Sequence, residues 1–283
     1  MALPPYITPL RRVWHYVFRT LCGLVFLFLA APLVIIIPLS FNAEPYFVFT
    51  EAMMSLDPKG YSLRWYIDFW ESQEWMETVQ NSFVIAIAAT ALSTALGTLA
   101  ALGLSRSSMP SRGLVMAILI SPMIIPVVIS GAGAFFFYSY VGLTGTKIGI
   151  ILAHAALGTP FVVITVTATL VGFDSTLIRA SASLGANPLQ TFFKVIMPLI
   201  SPGVVSGALF AFVTSFDEVV IVLFMADYDQ RTIPIQMWSG IREQLSPTIL
   251  AVATLLIAAS IMVIAMVEML RRRSERLRGV TPA

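Results

Sequence analysis

Charge is what this chain has least of. Lys, Arg, Asp and Glu make up 11% of its 283 residues, whereas a soluble domain carries about 25%. The polar stretches are too short for a separate soluble domain. There is a single cysteine, Cys22, inside an apolar run. That excludes an intrachain disulfide and leaves packing as its expected role. Histidine is nearly absent too. His15 precedes the first apolar run and is read as a surface residue. His154 lies within another run with no second His or Cys at metal-ligand spacing, so packing is expected there as well. The net charge of +2 gives no footing for nucleic acid. Gly142-Leu-Thr-Gly145-Thr-Lys147 resembles a phosphate loop but lacks the G-x-x-x-x-G-K-[ST] spacing. No catalytic residue, metal site or cofactor bound by this chain is expected.

What the chain does have is apolar length. Hydrophobic residues reach 58%, which predicts an all-α integral membrane protein. A span needs about twenty apolar residues, and six segments qualify: Thr20–Leu39, Val79–Leu104, Gly113–Phe137, Ile148–Gly172, Leu199–Met225 and Ile249–Leu270. The first follows a basic stretch, as a signal peptide would. It is long for one and runs into Pro38-Leu-Ser-Phe41 without a clear cleavage site, so it is read as an uncleaved span. The expected layout is an N-terminal segment 1–19, a six-span domain 20–270 and a basic tail 271–283.

Lys and Arg set the orientation. Arg11, Arg12, Arg19, Arg106, Arg112, Arg179, Lys194, Arg271, Arg272, Arg273, Arg276 and Arg278 fall on one side. Lys59, Arg64, Lys147, Arg231 and Arg242 fall on the other. The richer side is expected to be cytoplasmic, with both termini inside. The arginine run after Leu270 reads as a basic stop at the membrane face. The loop 40–78 is then external and carries seven acids: Glu44, Glu51, Asp57, Asp68, Glu71, Glu74 and Glu77. Trp65, Trp70 and Trp75 alternate with charges there, as in an interfacial helix at lipid headgroups.

Several residues interrupt the apolar runs. Ser121-Pro122-Met-Ile-Ile-Pro126, Ser130-Gly131-Ala-Gly133 and Gly158-Thr-Pro160 are expected to kink their helices near mid-membrane. Ala88, Ala89, Ser93, Gly97 and Ala101 mark a close-packing stripe on the second span. Asp217 and Glu218 sit well inside the fifth run, where a carboxylate facing hydrocarbon costs several kcal/mol. On a continuous helix they point about 100° apart. Two readings stand. One acid meets a cationic substrate or a gate, or the pair only holds helices together or already lies near the external surface.

The stretch between the fourth and fifth runs is the most informative. About twenty-five residues, 173–197, occupy what a simple turn would fill in a few. Asp174 can cap a first short helix, and Gly185 suits the left-handed position that ends it. Asn187 can cap a second, with Pro188 in its first position and Gln190 as a capping-box partner. Two short helices around a glycine hinge, on the cytoplasmic side by the charge count, make a docking surface. An ordinary amphipathic loop is the plainer alternative.

The spacing resembles the cytoplasmic loop of membrane subunits of binding-protein-dependent ABC importers: E-A-A, three residues, Gly, nine residues, I-x-L-P. Arg179-Ala180-Ser181 takes the first slot, Gly185 the second, and Val195-Ile-Met197-Pro198 the third. Ser181 for the second Ala is a departure, and Val195 for Ile and Met197 for Leu are mild ones. Arg179 for Glu reverses a charge. With Ser62-Leu-Arg-Trp-Tyr66, Asn81-Ser82 and Ser-Phe-Asp-Glu-Val-Val, the chain looks most like the smaller permease of polyamine (spermidine/putrescine) importers.

The resemblance implies a type I importer permease fold with a cytoplasmic coupling helix, in a bacterial inner membrane. It implies a second related permease, a dimer of cytoplasmic ATPases that binds ATP and Mg, a periplasmic substrate-binding protein, and membrane lipid around the spans. On this reading Arg179, Ala180, Ser181, Ser183, Leu184, Gly185, Ala186, Asn187, Pro188 and Gln190 couple to the ATPase, and Asp217 and Glu218 line the pathway or gate. Other cargo remains open, such as an organic amine or an amino-acid derivative. A secondary transporter would need ion-coupling polar residues in several spans and an inverted repeat. A structural membrane subunit would need neither the hinged loop nor the buried acids.

Overall fold

The structure, a computed structural model, describes residues 8–106, 109–174, 176–243 and 246–277. Residues 1–7 and 278–283 of the two terminal segments lie outside them, Arg278 included. The helices in chain order are α1 (Pro9–Leu39), α2 (Glu51–Met54), α3 (Arg64–Glu71), α4 (Gln73–Leu104), α5 (Arg112–Ile124), α6 (Val127–Tyr140) and α7 (Lys147–Val171). They continue as α8 (Thr176–Ser183), α9 (Pro188–Thr191), α10 (Met197–Phe216), α11 (Val220–Met225), α12 (Ile233–Glu243) and α13 (Thr248–Leu277). Among the described residues there is no sheet, only an isolated antiparallel bridge between Asn42 and Tyr61.

Among the described residues four helices are long and apolar enough to cross a membrane: Leu10–Leu39, Gln73–Leu104, Lys147–Val171 and Pro188–Phe216. The expected third span is two helices, α5 and α6, bent by 102°. This is far more than the anticipated kink. Pro126 has no N–H to give and drives Ile125 out of the helical region, to φ −70° and ψ 134°. The sixth expected span lies in α13, whose described apolar part is Thr248–Met262. The first helix begins at Pro9, well before the apolar run, and so carries Arg11, Arg12 and Arg19. Pro160 does not end α7, which continues as one helix.

The chain divides into two compact units, one of residues up to Ser72 together with those from Gly240 onward, the other of Gln73–Ser239. In the first, α1 and α3 each pack on α13. Its loop is fastened by one clasp. The Ser40 hydroxyl and Tyr66 hydroxyl share a 2.6 Å hydrogen bond, Ser62 N donates to Phe41 O at 2.7 Å, and Trp65 Nε1 donates to Asn42 O at 2.7 Å. Asn42, itself buried, donates from its amide to Tyr46 O and Val48 O. Trp65 is therefore 4% exposed and belongs to this clasp, not to the lipid headgroups. Trp70 by contrast is 64% exposed.

In the second unit α4, α7 and α10 form the core. Helices already in lipid gain little from hydrophobic burial, so close packing and hydrogen bonds must hold them. The small-residue stripe does this. Ala89, Ser93, Gly97 and Ala101 are buried. At Gly97 an added Cβ would stand 2.6 Å from the Val162 Cβ of α7, so only glycine permits this approach. Ser93 Oγ donates to Ala89 O of its own helix at 2.7 Å and lies 3.1 Å from Ala155 O of α7.

Candidate functional site

The loop between α7 and α10 folds as its punctuation dictates. Thr176 N donates to Asp174 Oδ1 at 2.8 Å at the start of α8. These Thr176 hydrogen bonds, aided by the Arg179 charge, hold the Asp174 carboxyl below its ordinary value. At the other end Ala186 N reaches Ser181 O and Gly185 N reaches Ala182 O, a paired closure of the last turn. Gly185 sits at φ +82°, and an added Cβ would meet nothing within 4 Å. Backbone conformation, not crowding, demands glycine there. Asn187 Oδ1 then accepts from Gln190 N at 2.8 Å while Gln190 Oε1 accepts from Asn187 N at 3.1 Å, the anticipated capping box.

Two features of this loop were not visible in the sequence. The second helix is not short and separate. α9 passes through a π-helical stretch, Phe192–Ile196, straight into α10. The end of this loop and the fifth span are one helical rod, because no residue between Pro188 and Phe216 stops it. Pro198, which has no N–H to donate, lies inside this rod directly after the π-helical stretch. The second feature is Ser181. It is buried, and its hydroxyl meets that of Thr191 at 2.9 Å, stitching α8 to α9. Arg179, Ala180, Ser183, Leu184, Asn187, Pro188 and Gln190 are exposed, and Ala186 is half-buried. Leu184 and Leu189 present bare apolar surface at 88% and 70% exposure. Behind the loop a cavity of about 830 Å³ is lined by Leu102, Arg106, Leu170, Phe173, Ile178 and Phe192.

The acids of the fifth run lie on a helix break. α10 ends at Phe216, and α11 begins at Val220. The 100° relation of a continuous helix does not hold for Asp217 and Glu218. The structure instead separates their roles. Glu218 Oε1 accepts from Val220 N at 2.7 Å and Ile221 N at 3.0 Å, satisfying the first donors of α11. Asp217 is exposed, and among the described residues no hydrogen bond or ion pair engages its carboxylate. α11 packs on α6, with Phe224 seated against Gly131. Two interrupted spans thus bring their second halves together. His154 is buried one turn below the break, its Nδ1 2.8 Å from Ser215 Oγ, in keeping with a packing role.

The loop after α11 is anchored by the Asn81-Ser82 pair. Asn81 Nδ2 donates to Asp229 O and Arg231 O, and Ser82 Oγ accepts from Ile233 N at 2.7 Å. Glu74 receives Gln236 Nε2 at 2.9 Å and lies 3.7 Å from Arg231. Chiefly through Glu74, the Tyr228 hydroxyl is pushed above its ordinary pKa. Sequence reading marked Asn81-Ser82 only by resemblance. Its partners lie about 150 residues away, which no local pattern reports.

A family profile described as binding-protein-dependent transport system inner membrane component matches residues 93–276. The spermidine/putrescine transport system permease protein PotC of Haemophilus influenzae is 28% identical over 250 residues, covering 88% of this chain and 94% of that protein. The putrescine transport system permease protein PotI of Escherichia coli is 31% identical over 268 residues, covering 91% and 92%. A chain from the crystal structure of a bacterial ABC transporter involved in the import of the acidic polysaccharide alginate has a TM-score of 0.71 at 16% identity. It covers 95% of this chain and 99% of its own length. That likeness shows the fold.

Proposed function

Because this chain belongs to the family of binding-protein-dependent transport system inner membrane components, and is the membrane permease of an ABC importer, we propose that its cargo is a polyamine of the spermidine and putrescine class. In this reading the chain forms half of the pathway and a second, related permease the other half. A dimer of cytoplasmic ATPases docks on the loop 173–197, and a periplasmic binding protein delivers the cargo to the opposite face. Both termini and the loop are cytoplasmic. The chain carries no catalysis of its own; ATP and Mg belong to the partner.

The mechanism is alternating access. ATP closes the ATPase pair, which moves the exposed face of α8 and α9. Because α9 runs into α10 without a joint, that motion arrives at the helix break near Asp217 as a displacement of one rod. The α6 and α11 halves are the elements free to part. Ser181 acts by holding α8 to α9 rather than by touching the partner.

The observation that carries the cargo reading is the likeness to polyamine permeases along about 90% of the chain, supported by the unengaged Asp217 carboxylate. An acid kept without a partner at membrane depth is costly unless a cation visits it. The test is uptake of labelled spermidine and putrescine by proteoliposomes holding the full complex, with Asp217→Asn and Glu218→Gln compared. Gln keeps the acceptor that caps α11, so Glu218→Gln isolates charge. Expected is strong loss of uptake in Asp217→Asn with assembly intact. Uptake of neither amine by the wild-type complex would overturn the polyamine reading, leaving another small solute as cargo.

A further inference from the structure

Three phenylalanines surround the end of α10. Phe212 and Phe216 stack with centroids 5.6 Å apart and planes 22° apart. Phe83 of α4 meets Phe216 at 5.4 Å with planes 59° apart. Phe83 is 46% exposed, and Phe212 and Phe216 are half-buried. The rings thus form a continuous strip from α4 to the last residue of α10, and Asp217 follows directly.

The ring faces, the end of α10 and Asp217 all present the same sign. Ring faces carry the negative side of the aromatic quadrupole. The C-terminus of a twenty-residue helix presents its last carbonyls and the negative end of its dipole. Asp217 adds a full charge. Glu218 is spent on the N–H groups of Val220 and Ile221, so the charge left for a ligand is that of Asp217. Lipid tails would account for the rings but not for an unpaired carboxylate beside them. An alkylammonium accounts for both, with its charged nitrogen at Asp217 and over a ring face, and its methylenes along the strip.

We propose that Phe83, Phe212 and Phe216, together with Asp217, form a transient station for an alkylammonium chain on the transport route. The proposal rests on the polyamine reading and adds to it the residues that would recognise the methylene and ammonium parts. It assigns recognition of the cargo to rings on this permease as well as to its acid.

The experiment uses the full complex in proteoliposomes, with putrescine and spermidine as probes. Phe83→Leu, Phe212→Leu and Phe216→Leu keep apolar bulk and remove the quadrupole. The readout is amine imported per ATP hydrolysed, with the loaded binding protein saturating. Each variant is expected to lower that ratio about 3- to 30-fold, the range of a desolvated cation–π contact, and Phe216→Trp to retain it. The control is Phe161→Leu. Phe161 stacks on Phe210 at 6.0 Å, and the two helices that carry this pair, α7 and α10, contain no Asp or Glu. A loss confined to the three named rings supports the station. Leu variants that import at the wild-type ratio overturn it, as does an equal loss in Phe161→Leu. If Phe216→Leu fails to assemble, Phe83→Leu at the exposed end of the strip decides alone. A wild-type complex that imports no amine sinks the cargo reading instead, so the two failures are distinguishable.

Discussion

Gly185 shows how a single residue is fixed by backbone angle alone. Its φ of +82° faces open space, so a larger side chain is refused only by conformation. An L-residue pays about 1–2 kcal/mol in that region. Gly185→Val is therefore expected to shift the turn population about 5- to 30-fold toward other geometries. Binding-protein-stimulated ATP hydrolysis should then separate from uptake, while membrane insertion stays normal. Normal uptake by this variant would argue against docking at the loop. Trp65 is a different case. Its indole N–H serves the Asn42 carbonyl inside the clasp. Trp65→Phe keeps a ring but strands that acceptor, at about 1–3 kcal/mol. A lower unfolding temperature in detergent, with uptake per folded complex unchanged, is the expected result. The caps at Asp174, Gly185, Asn187 and Gln190 were legible because capping chemistry is local. The burial of Trp65 was not, because its partner is 23 residues away.

At the scale of elements, the sequence announced where apolar helices lie but not where they break. Length and hydropathy find a run; they are blind to a turn inside it. Pro122 and Pro126 look alike in the sequence. Pro122 stays within α5, and Pro126 ends it. The break at Asp217 was hidden for another reason: Phe-Asp-Glu-Val reads as helix until Glu218 turns back to cap α11. The small-residue stripe, by contrast, was readable, because its spacing of three to four residues marks one helix face. It also yields a prediction. Gly97→Leu would drive α4 away from Val162, an overpacking worth about 1–3 kcal/mol or more. The expected outcome is loss of a disulfide cross-link engineered between α4 and α7, along with a lower yield of assembled complex. Wild-type cross-linking would show that α4 and α7 do not need this contact.

For the whole molecule, the distribution of Lys and Arg makes the strongest statement. Twelve of the seventeen lie on one side of the proposed layout. In a Cys22→Ser background, Lys59→Cys is expected to react with an impermeant maleimide in intact cells and Ser274→Cys only after lysis. Labelling of Ser274→Cys in intact cells would invert the orientation. The caps and glycine turn of the loop 173–197 were legible as spacing along the chain. Division into two compact units was not, because it joins residues before Ser72 to residues after Gly240, and contacts so distant in sequence leave no local trace.

The π-helical stretch Phe192–Ile196 has a consequence for how this gene can change. A π turn is one residue more than an α turn holds, and each residue sets the helix phase by about 100°. α9 and α10 share one rod, so the azimuth of the face proposed for docking is geared to that of the face proposed for the pathway. Deleting one residue between 192 and 196 should let the widened turn relax to a plain α turn with the two faces kept in phase, whereas inserting one there should turn them about 100° out of phase. A single-residue insertion should be the most damaging lesion here, worse than most substitutions and worse than a single deletion, whereas the loop before Asp174 should absorb it.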